Sequence, residues 1–225
     1  MKAYSPALAA LLFLGAASCN STPKMVTVSG ALVAQAPESS LVAVDEARRQ
    51  RDDAEDNLAS AEALVMNLDE KEQIARAELF SMRSQVEKAR LTVRLTEKSG
   101  TPAALESAKE AHAIALAAAD ISRNELAVSK RRLELAKVQQ KLASERHRLA
   151  NAGVEYAKAL AVQDVNLVAA KQVPVRDFKR QVRYHEREVE VAVERVEDAE
   201  KRLAEDVETL EASIAQHAKL TEDSE

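Results

Sequence analysis

One cysteine, no tryptophan, four glycines and five prolines occur in 225 residues, and aromatic side chains make up only 3%. A single thiol excludes an internal disulfide framework and any cysteine-rich metal site. Scarce Gly and Pro leave few places for the chain to turn, and scarce aromatics leave little bulk for a compact core. Phosphate cradles of the familiar kinds are excluded too, because Gly30, Gly100 and Gly153 form neither GxGxxG nor a P-loop. An excess of positive charge is also lacking. A net charge of −5 does not suit a nucleic-acid binder, whose affinity comes from neutralising phosphates. Ala, Glu, Leu, Val, Lys and Arg are abundant instead, with 31% of residues charged. A chain so rich in helix formers reads as all-α, built of long helices or coiled coil.

Helical periodicity starts near Leu41. One heptad column holds Val44, Arg51, Leu58, Val65, Glu72, Leu79, Val86 and Val93, and its companion runs from Ala47 through Ala54, Ala61, Leu68, Ala75, Met82 and Ala89 to Thr96. Thirteen of these sixteen positions are apolar, which is a coiled-coil seam. Lys98-Ser99-Gly100 ends the helix, with Gly100 placed to take the left-handed capping conformation. Thr101 and Pro102 supply an N-cap and a first-turn proline for the next helix.

The second helix carries Ile114, Ile121, Val128, Leu135, Leu142, Leu149 and Tyr156 seven residues apart, and the third carries Val182, Val189, Val196, Leu203 and Leu210. Between them Pro174 removes a backbone donor and clashes with the preceding turn. The expected helices run over about 41–98, 102–172 and 174–220 within a body spanning 41–221, followed by a polar tail, 222–225. The fold read from this is an elongated antiparallel coiled-coil hairpin extended to a three-helix bundle; a rod kinked at Pro174 and paired by oligomerisation is the alternative. Folding about residue 100 brings Glu72 level with Arg131 and Arg51 level with Glu145, so two ion pairs are expected to fix the register.

At the N-terminus Lys2 precedes an apolar stretch, Ala7 to Ala17, too short to span a bilayer. Small residues then lead to the only cysteine, giving Ala16-Ala17-Ser18-Cys19. This resembles the lipobox of bacterial lipoproteins, with Ala16 where that family most often has Leu. The resemblance implies a signal peptide, 1–18, removed before Cys19, and fatty acylation (palmitate among the acyl chains) of that cysteine. With Asn20 rather than Asp next, it also implies the periplasmic face of the outer membrane. Residues 19–40 contain Pro23, Gly30, Pro37 and several Ser and Thr, and read as the lipidated cysteine followed by a flexible tether. Met25 to Val28 forms a strand only if an edge is offered.

Candidate chemistry is sparse. His112, His147, His185 and His217 have no spacing for a shared metal site, and the string His185-Glu186-Arg187-Glu188-Val189 begins like HExxH but ends on Val. Carboxylates alternate with bases as on a solvated helix face. No enzyme, cofactor, metal or small-molecule substrate is expected. Lys171, Arg176, Lys179, Arg180, Arg183 and Arg187 cluster around Pro174 and form a candidate contact for anionic headgroups or an acidic partner. The expected function is that of a lipid-anchored envelope spacer or scaffold, with a protein partner or self-association. The alternative is an accessory subunit of a secretion or efflux assembly, whose periplasmic adaptors are similar in having long α-hairpins.

Overall fold

The structure, a computed structural model, describes residues 26–165 and 168–222. The elements follow in the order α1 (Gly30–Val33), α2 (Glu38–Ser99), α3 (Pro102–Ala161), a 3-10 turn (Val162–Asp164), α4 (Val168–Lys171) and α5 (Val175–Glu222). Among the described residues no strand occurs, so the fold is all-α. The three long helices hold 62, 60 and 48 residues. At 1.5 Å per residue they run to roughly 90, 90 and 70 Å.

The α2–α3 hairpin closes where the sequence placed it. Thr101 Oγ1 accepts the Ala104 N–H at 3.3 Å as an N-cap, and Pro102 opens the helix. Gly100 corrects the expectation of a left-handed cap. Its φ of −91° and ψ of 169° are extended, which any residue adopts. What requires glycine here is a close approach: the Gly100 N–H donates to Thr96 O at 2.7 Å, and a Cβ would overlap the Thr96 side chain.

The third helix folds back, so Pro174 lies in a turn between antiparallel helices and not at a kink in a rod. Asn124 Nδ2 donates to Ser213 Oγ at 2.6 Å, and Arg131 Nε donates to Asp206 Oδ2 at 3.0 Å. The two contacts stand seven residues apart on both helices and run in opposite chain directions, which pins α5 antiparallel to α3 over a full heptad.

The packing is centred on α3. Both α2 and α5 lie along it, while contact between α2 and α5 is slight. Among the described residues α3 buries thirteen side chains, against four each for α2 and α5. Leu126 and Val128 are both buried although two residues place them about 200° apart around a helix. Leu126 meets Ala75 and Leu79 of α2. The result is an elongated antiparallel three-helix bundle with α3 as its middle helix. Open grooves run on both sides of α3: one between Asp53, Asn57, Leu142, Arg146 and Val196, the other between Leu58, Lys141, Ser144 and Glu188.

The second helix ends at Ala161 and not at residue 172. No Gly or Pro lies near that point; tertiary packing overrides the local helix preference. Val162, Val165 and Ala170 turn inward and join Phe178 in a buried cluster, which a straight helix would prevent.

Candidate functional site

The end of the rod that holds this cluster also receives the N-terminal segment. Val28 and Val33 are buried with Ala159, Val162, Val165, Ala170 and Phe178, and Leu32, Leu41 and Tyr156 pack around them. Phe178 is 1% exposed. The segment is held by a polar contact as well. The Val28 N–H donates to Glu155 Oε2 at 2.7 Å, and Lys158 Nζ donates to Glu155 Oε1 at 2.6 Å. Glu155 is itself buried, so a carboxylate inside the end of the rod is satisfied by one backbone donor and one ammonium. The expectation of a tether over 19–40 is therefore corrected for its described part. Residues 26–37 dock on the body, because Val28, Leu32 and Val33 find an apolar floor and Glu155 supplies the acceptor that the Val28 amide needs. The sequence signal was the run Met25-Val26-Thr27-Val28, but its floor lies some 130 residues away in the chain.

Directly beside this cluster stands the basic group. Lys171 ends α4, and Arg176, Lys179, Arg180, Arg183 and Arg187 lie on the first turns of α5; all six are exposed. The inward side of these turns is Phe178, Gln181 and His185. Phe178 and Arg187 are nine residues apart, two and a half turns, so the bases occupy the outward face. The intrahelical pair Arg180–Asp177, at 3.3 Å, is the one ion pair among them in the described residues. The first thirteen residues of α5 hold five bases against two acids, whereas the remaining 35 hold four against eleven. The positive charge is thus concentrated at the end where the N-terminal segment docks.

The two expected register pairs do not form. Glu72 accepts from Arg76 at 2.7 Å and Glu145 from Arg148 at 2.8 Å, each within its own helix. Arg51 is bound to Asp52, and Arg131 to Glu134 and Asp206. Neighbours on one helix need less ordering than partners on two. Arg131 also faces α5, because α3 is the middle helix, a feature the hairpin alone does not reveal.

Inside the α3–α5 seam, His185 is buried and its Nδ1 lacks a partner among the described residues, as do both amide atoms of Gln181 one turn away. Burial chiefly holds the His185 pKa below its ordinary value; Glu145 and Glu188 oppose that shift and Arg148 reinforces it. Among the described residues no group of three or more His, Cys, Asp or Glu is placed to hold a metal ion, and no helix is long and apolar enough to cross a membrane. Cys19 lies outside the described residues.

No protein-family model, curated protein or solved structure matches the chain.

Proposed function

We propose that this chain is a non-enzymatic, lipid-anchored coiled-coil spacer or scaffold of the bacterial envelope, held through Cys19 on the periplasmic face of the outer membrane. The observation that carries this reading is the docking of Val28 into the Phe178 cluster, next to the exposed bases of α5. Six residues lie between Cys19 and Val26, so the seven steps that join them reach at most about 25 Å even fully extended. A lipid on Cys19 therefore keeps the basic end of the rod near the bilayer, where each base adds up to about 1 kcal/mol of attraction to anionic headgroups. The hairpin tip at Gly100 then stands roughly 90 Å away along α2.

Labelling cells with tritiated palmitate and fractionating them tests the anchor. Wild type takes up label and sediments with outer membrane; Cys19→Ser does neither. Label-free wild type in the soluble periplasmic fraction would overturn the proposal.

A further inference from the structure

The side of α2 turned away from α3 is apolar where a lone rod in water has no use for it. Glu72, Ala75 and Leu79 are buried against α3, yet Met66 is 70%, Phe80 77%, Leu91 54% and Leu95 66% exposed. These four are spaced by 14, 11 and 4 residues, close to whole numbers of turns, so they fall on one stripe. Met66 and Ala75, nine residues apart, mark the two opposite faces. The small exposed residues Ala63, Ala77 and Ser84 continue the stripe and leave its surface flat.

Its charges are polarised. Glu62, Asp69 and Glu70 flank the half nearer the basic end of the rod, and Lys88, Arg94 and Lys98 flank the half nearer the tip. None of these six has an ion-pair partner among the described residues, whereas the nearby Arg76 and Arg90 are paired with Glu72 and Glu87. A face acidic at one end and basic at the other is complementary to itself when reversed. Turning one copy about an axis at Phe80 sets Glu62 opposite the partner's Lys98 and Met66 beside the partner's Leu95, with the two Phe80 rings meeting at the axis. A parallel pair instead sets acid on acid and base on base, a repulsive arrangement.

We infer that the outward face of α2 is a self-association surface that takes a second copy of this chain in antiparallel orientation about Phe80. A strip of 37 residues is about 55 Å long and about 10 Å wide, so the pair buries on the order of 1,000 Å². That is the lower end for specific interfaces, and the dimer is concentration-dependent. The inference does not rest on the lipid anchor. Its consequence for a spacer is that the two basic ends point away from each other, toward opposing surfaces.

The test uses the full chain in detergent, in a Cys19→Ser background, with a single spin label introduced as Ala63→Cys or Ser84→Cys. In an antiparallel dimer the label at 63 reads about 50 Å between copies, 34 residues at 1.5 Å each, and the label at 84 reads under about 20 Å. Short distances at both sites mean a parallel pair and overturn the inference. So does a monomer at every concentration in sedimentation equilibrium, or a different envelope protein held on this face with no self-association. Phe80→Glu, on an exposed position that folding does not need, abolishes the dimer while helix content stays constant. Glu62→Lys with Glu70→Lys weakens it at least tenfold, and adding Lys88→Glu with Lys98→Glu restores it.

Discussion

The Val28 amide meets the Glu155 carboxylate at 2.7 Å across 127 positions of sequence, and this contact joins the segment after Cys19 to the body of the rod. A hydrogen bond to a buried charged acceptor contributes about 1.5–3 kcal/mol, about as much as burying one Val side chain, and its loss leaves the buried Val28 N–H unsatisfied. Glu155→Ala is expected to release residues 26–37 while α2 and α3 stay folded. Hydrogen exchange at Val28 to Val33 should rise at least tenfold with little change near Gly100. Unchanged protection at Val28 would show that the apolar contacts suffice.

Phe178 is the largest side chain buried at that end. Removing a buried aromatic ring costs about 3–5 kcal/mol, as transfer energy plus cavity. Denaturant titration of Phe178→Ala should show that loss, and hydrogen exchange should place it around residues 159–178. A loss below about 1 kcal/mol would mean that the cluster does not organise the α3–α5 turn.

Gly100 is demanded by proximity to Thr96. Gly100→Ala is expected to destabilise by more than about 1 kcal/mol, since a new Cβ must displace the turn. Thr96→Ser removes the methyl group that the Cβ would meet, so part of the loss should be recovered in the double variant. Equal losses with and without Thr96→Ser would assign the clash to the Thr96 backbone oxygen, 2.7 Å from the new Cβ, instead of the methyl group.

Much of this architecture is legible in the sequence. Heptads from Val44, the Thr101-Pro102 start and the Pro174 break name three long helices and the reversal at Gly100, while the turn at Pro174 is fixed only by the contacts of α5 with α3. What the pattern does not carry is which helix lies in the middle. A stripe records that a face is covered, not by which neighbour, so Arg131 reads as a partner for α2 when it reaches Asp206 on α5. The end of α3 at Ala161 is likewise invisible, because no Gly or Pro marks it and it is the burial of Val162, Val165 and Ala170 with Phe178 that ends the helix there. The basic group around Pro174 is read directly, since exposed charge needs no tertiary knowledge; its position beside the docked Val28 does.

His185 gives the rod a pH dependence of known sign. Its folded pKa lies below the ordinary value near 6.5, chiefly through burial. As pH falls through that value, the unfolded chain binds a proton that the folded chain resists, so the stability from neutral His185 is lost toward acid pH. Wild type should unfold at lower temperature at pH 5.5 than at pH 7.5, and His185→Leu should reduce the difference. At pH 7.5 His185→Leu should be at least as stable as wild type, because it also removes an unpartnered buried nitrogen. A pH slope identical in both proteins would assign it to other groups.

The orientation of the rod at the membrane is tested most directly by photo-crosslinking to lipid in cells. One probe replaces Arg180 on the basic face and another replaces Ala103 beside the Gly100 tip. Lipid adducts are expected at 180 and none at 103, with the adducts at 180 lost in a Cys19→Ser background. Lipid adducts at 103, or none at either site, would contradict a rod held to the bilayer by its basic end.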